Sequence, residues 1–190
     1  MPSGRNILRF DLQRALRLYD EGGNLPGRAA DLWSQIKDAE LTMARAFWNR
    51  YRSSEEIRTP ISDAQVEELA ARIVPYLRDK FLRVDQPAWV ETARGYVERA
   101  LGANVSLSTL LAGLHSETEA AYAAIRAVIT DPDAVIAACR TLSETESLEI
   151  DVFVNAQGKV CAHTGAQHTR RPCMHRAFRQ IDFIHSRCSR

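Results

Sequence analysis

Between Val66 and Phe81 the apolar residues Val66, Leu69, Ile73, Leu77 and Phe81 recur every three or four positions. That spacing lines one face of an α-helix and scatters over both faces of a strand, so it dictates helix. The same period returns along the chain. Leu8, Leu12, Ala15, Leu16 and Tyr19 share a face in residues 6–20, and Leu32, Ile36, Met43, Phe47 and Tyr51 mark one long helix from about Ala29 to Arg52. Ala93, Tyr96, Val97 and Ala100 follow "VDQPAW", and Leu107, Leu110, Leu111, Leu114, Tyr122 and Ile125 follow "NVS". Val135, Ile136, Cys139, Leu142 and Ile150 carry a last helix to about Phe153. No stretch alternates apolar and polar residues, and no internal repeat is visible. The pattern predicts an all-α body of about six helices.

The boundaries carry their own chemistry. Gly22–Gly23 ends the first helix, and "NLPGRAA" reads as a loop. In "PISDAQV", Ser62 and Gln65 have capping-box spacing, with Ile61 and Val66 placed as a hydrophobic staple. Asp85 is placed to cap the next helix, Asn104 or Ser106 the one after, and Asp131 followed by Pro132 the last. Pro75 removes a backbone donor inside its helix and predicts a kink there.

A chain of 190 residues, 45% of them hydrophobic, suits one domain with a sizeable core. No run approaches the roughly 18 apolar residues of a membrane span. The first twenty residues carry charges throughout, unlike a secretory signal, so the expected location is the cytoplasm. The net charge of +1 hides a split: from residue 156 onward seven basic residues face Asp182 alone, giving +6 there and −5 before it. Cysteine and histidine follow the same split, with only Cys139 and His115 in the body. The division suggests a globular part over residues 1–155 and a basic, non-globular tail over residues 156–190.

Most chemical classes have no motif here. There is no phosphate-cradling loop, no nucleophile elbow, no His-Glu-x-x-His and no nucleophile beside a base, so the expectation is a non-enzyme. Glu144, Glu146 and Glu149 read as the solvated face of the last helix. Trp33, Trp48 and Trp89 read as large core residues with a polar handle, and Cys139 as a small hydrophobe. In the tail, Cys161, His163, Cys173 and His175 form two C-x-H pairs, a weak alternative zinc set because such ligands usually sit further apart. An unfolded basic extension, or translation in a shifted frame, explains the tail more simply. An acidic body with no reader motif predicts no specific nucleic-acid recognition.

Three stretches, "MARAFWNRY" (43–51), "VDQPAWVETARGYVERALG" (84–102) and "ESLEIDVFVN" (146–155), resemble the sensor-globin domain of bacterial globin-coupled sensors. The likeness spans roughly residues 7–155 as a pattern of helices. It implies a globin fold, a haem that senses oxygen or a related gas, and a homodimer built through the last two body helices as a four-helix bundle. It also implies a signalling output domain, such as a chemotaxis transducer or a cyclic-di-GMP enzyme, which this chain does not carry. The apolar run Leu107, Leu110, Leu111 and Leu114 supplies a motive for the dimer. Residue by residue, the resemblance places the proximal iron ligand at Ala100 and the distal tyrosine at Trp48. Phe47, Trp48, Phe81, Tyr96 and Ala100 are then expected to border the pocket. His115 is a weak alternative ligand, more simply a half-buried histidine. With no imidazole at residue 100, the expectation is a haem-poor sensor domain. The alternative is a haem-free, globin-like interaction domain of the stressosome kind.

Overall fold

The computed structural model describes residues 10–164, with side chains to residue 158, and its regular elements over that span are all helices. Seven α-helices follow one another: α1 (Leu12–Tyr19), α2 (Leu25–Ile36), α3 (Glu40–Arg52), α4 (Asp63–Leu82), α5 (Pro87–Gly102), α6 (Leu107–Val128) and α7 (Pro132–Thr164). None of them is long and apolar enough to cross a membrane.

The capping box at Ser62 and Gln65 forms as its spacing predicts, and Ser106 rather than Asn104 caps α6, accepting the Thr109 N–H at 3.2 Å. Asp131 caps α7 through the Ala134 N–H at 2.8 Å. Pro75 sits inside α4, which runs through it as one helix. The carbonyl that proline leaves without an intrahelical partner belongs to Ala71, on the exposed face of the helix.

Four expected boundaries move, three of them in the first five helices. "NLPGRAA" is the start of α2: Asn24 adopts a left-handed φ of 57° and accepts the Gly27 N–H at 3.3 Å, with proline in the first turn. The long helix over 29–52 is two helices, broken by a 3-10 turn at Lys37–Ala39. The break re-aims the chain, so that α2 packs on α4 and α7 while α3 packs on α4 and α6. Gln86, not Asp85, precedes α5, and no side chain caps it; Pro87 supplies the preset first turn instead.

The last helix does not stop near Phe153. It continues through the change of composition at residue 156 to Thr164, over a stretch with no proline, and Ala156 is fully buried. The chemistry of the tail changes there; the backbone does not. α7 is packed over most of its girth. Leu142, Glu144, Thr145, Glu146, Leu148 and Glu149 are all buried, α1, α2, α5 and α6 pack on it, and Ile136, Arg140 and Val154 mark the one stripe left exposed. Buried hydroxyls are satisfied inside the helix, Thr145 donating to the Thr141 carbonyl at 2.8 Å.

α3 and α6 make the most intimate pair, and Gly113 sets their approach. A Cβ there would lie 2.8 Å from Cε2 of Phe47. Gly113→Val is therefore expected to lower the unfolding free energy by about 1–3 kcal/mol through overpacking. Urea denaturation checks this, and an unchanged midpoint would contradict the close contact. The leucine run on α6 serves the same core. Leu107, Leu110 and Leu114 are buried within the chain and Leu111 packs partly against them, so the run is not the surplus apolar face that the dimer expectation took it for.

Candidate functional site

Five helices leave a cavity of about 460 Å³ between them. Each contributes side chains at helical spacing. α3 gives Phe47, Trp48 and Tyr51; α4 gives Leu69, Arg72, Ile73 and Tyr76; α5 gives Tyr96, Val97, Arg99, Ala100 and Ala103. α6 adds Leu110, Leu114 and Glu117, and α7 adds Glu149 and Phe153. The α3 aromatics lock one another, with Trp48 edge-on to Phe47 at 5.3 Å and to Tyr51 at 5.2 Å between ring centroids. Tyr96 meets Tyr76 edge-on at 5.2 Å. The volume lies within the range of about 300–1,000 Å³ usual for small-molecule sites.

One wall of the cavity is charged. The Lys80 ammonium donates to Glu117 Oε1 at 2.5 Å and to Glu149 Oε2 at 2.9 Å, and all three residues are at least 97% buried. The Tyr76 hydroxyl donates to the other oxygen, Oε1, of Glu149. Beside them lies Glu146, also buried, with one carboxyl oxygen, Oε2, lacking a partner. Burial works to lower the Lys80 pKa, but the Glu117 and Glu149 carboxylates outweigh it and hold the group charged. Burial pushes Glu117 up to about 7 against the pull of Lys80. It pushes Glu146 to about 7 as well, opposed by a hydrogen bond from Thr118. Tyr76 is raised well above its ordinary value, first by burial and then by the charge of Glu149.

Phe47, Trp48, Tyr96 and Ala100 line the cavity. Phe81 does not. It follows Lys80 by one residue, about 100° round the helix, and faces α2, where it stacks on Trp33 at 5.2 Å. His115 is half-buried on α6 and outside the lining. Glu144, Glu146 and Glu149 are buried, which overturns their reading as a solvated face. Glu144 pairs with Arg28, which also holds Asp20 at 3.1 Å and so ties the α1–α2 turn to α7. Side chains of Cys161 and His163 lie outside the described residues, as do Cys173 and His175 entirely. Among the described residues no cluster of three His, Cys, Asp or Glu side chains is placed to hold a metal ion.

Haem does not suit this lining. It holds no histidine, cysteine or methionine, and the methyl group of Ala100 has no donor. Two of the three phenols fare no better as ligands: Tyr76 is engaged with Glu149, and burial raises the pKa of Tyr51, with the charge of Glu56 adding to it. Lys80 and Glu117 were missed as site residues although the signal was present. Lys80 stands three residues after Leu77, and Glu117 three after Leu114, so each occupies a position on its helix's apolar stripe. No protein-family model, curated protein or solved structure matches the chain.

Proposed function

We propose that this chain is a haem-free, globin-like signal-input domain whose cavity takes a small organic ligand. The observation that carries the reading is the cavity itself. It is walled by Phe47, Trp48, Tyr96 and Ala100, the positions at which the sensor-globin resemblance expects a haem pocket, yet it ends on buried charges instead of an imidazole. The order of the helices, and the way α3, α4 and α5 wall the cavity over α6 and α7, support the globin-like part. Occupancy would be felt by α6 and α7 through Glu117, Glu149 and Phe153, and those helices would pass it to an output domain.

A Soret titration of the wild type, Ala100→His and His115→Ala tests the haem-free part. The wild type and His115→Ala are expected to form no stable haem complex, and Ala100→His to gain affinity, because it places an imidazole in a lining that lacks one. Tight wild-type binding that disappears with His115→Ala would overturn the reading.

A homodimer remains part of the proposal, on a different footing. Val128 and Ile136 are 54% and 50% exposed and flank the corner between α6 and α7. Light scattering is expected to find a dimer that Val128→Glu with Ile136→Glu dissociates. A wild-type monomer at high concentration would end this part.

A further inference from the structure

Resting on the reading of the cavity as a ligand site, we propose that its ligand is an organic cation, an ammonium ion with an apolar body, held between the aromatic walls and the carboxylates of Glu117 and Glu149. Charge is the first argument. Glu117 from α6 and Glu146 and Glu149 from α7 are buried together, and the ammonium facing them is Lys80 of α4. One ammonium against three carboxyl groups leaves the interior short of positive charge. Either protons or a second cation must supply it.

Two further cations stand at the mouth, and neither fills the deficit. Arg72 of α4 is 68% exposed in its side chain and paired with Glu68 at 2.5 Å. Arg99 of α5 is exposed and lies over the Tyr96 ring at 4.8 Å. Solvent screens both. The remaining groups facing the carboxylates are the neutral hydroxyls of Tyr76 and Thr118, and α3 brings aromatic rings with one uncharged donor, the unpartnered indole N–H of Trp48.

The walls are the second argument. Phe47, Trp48, Tyr51, Tyr76, Tyr96 and Phe153 present π-systems around one space, and such rings attract a desolvated ammonium. Arg99 already uses the outer face of one of them. Leu69, Ile73 and Leu110 provide the apolar contact that an alkyl body requires. An anion of the same shape meets Glu117 and Glu149 instead.

Without a cation, the deficit is met by protons on Glu117 and Glu146, whose pKa values burial pushes up to about 7, and a cation seated against Glu117 takes the place of the first. The cation therefore displaces a proton to solvent as it binds. Calorimetric titration of the full chain with octyltrimethylammonium, octanol and octanoate tests this. The quaternary probe carries no proton, so any pH dependence belongs to the protein. It is expected to bind at least about tenfold more tightly than octanol, with octanoate weaker again, and to lose about tenfold in affinity from pH 8 to pH 6.

Glu117→Gln is expected to remove both the preference for the cation and the pH dependence. Ala100→Trp, which fills the cavity and leaves the charges in place, is expected to abolish binding; circular dichroism confirms the fold of each variant. The pH series on the wild type stands even if Glu117→Gln does not fold. Binding of octanol or octanoate as tight as the cation would overturn the proposal. If Ala100→Trp removed that binding, the ligand cavity would survive and only its charge preference fall. No binding by any probe would overturn the two together.

Discussion

Lys80→Met is expected to destabilise the fold by about 3–5 kcal/mol at neutral pH, because it leaves buried carboxyl groups without the ammonium between them. The side chains match closely in length, so packing is nearly kept and the loss is electrostatic. Lys80 donates to both Glu117 and Glu149, and neither residue has another cation in contact. Adding Glu117→Gln and Glu149→Gln to the lysine variant is expected to recover much of the loss, since neutral amides need no counter-charge. Urea denaturation of the three proteins at one pH measures both effects. A loss under about 1 kcal/mol for the single variant would show that these carboxyl groups are neutralised without Lys80.

Stability of the wild type is expected to fall as pH rises from about 5 to about 8, by an amount of the order of 3 kcal/mol. The sign follows from Glu117 and Glu146, each raised from 4.5 in the unfolded chain to about 7 in the fold. Between those values the folded state holds protons that the unfolded state has released. Their contribution is complete below about 4.5 and is lost as pH rises through about 7. Glu56 acts in the opposite sense: hydrogen bonds from the Ser106 backbone N–H and the Thr109 hydroxyl hold its pKa down, so its part is lost on acidification. Together they place the optimum near pH 5. Glu146→Gln is expected to flatten the slope, and a wild-type stability that rises from pH 5 to pH 8 would contradict the assignment.

The helices could be read from the chain because their signals are local. A stripe at three- and four-residue spacing, a Ser-x-x-Gln box and an Asp-Pro start each act within one turn. The break at Lys37–Ala39 could not, since the apolar stripe continues across it and only the choice of packing partners divides α2 from α3. The aromatic half of the site, Phe47, Trp48, Tyr96 and Ala100, was reached through the resemblance to sensor globins and not through a local signal. The charged half was legible only in part, through Lys80 and Glu117 standing on the apolar stripes of their helices. A glutamate two or three residues from another acid looks like a solvated face until its side of the helix proves to be covered, and that cover belongs to the assembly of α1, α2, α5 and α6 against α7. Lys80 and Glu117 lie 37 residues apart, so their pairing has no local trace.

The packing of α7 bears on how the protein is made. Synthesis delivers the first six helices before the one that packs on four of them, α1, α2, α5 and α6, and at about 5–20 residues per second the nascent chain waits seconds for it. During that interval the faces that those four helices turn to α7 have nothing to cover them. The ribosome therefore holds an unfinished bundle whose last member arrives at the end, and the emergence of residues up to Ala156 is the moment at which vectorial folding can close.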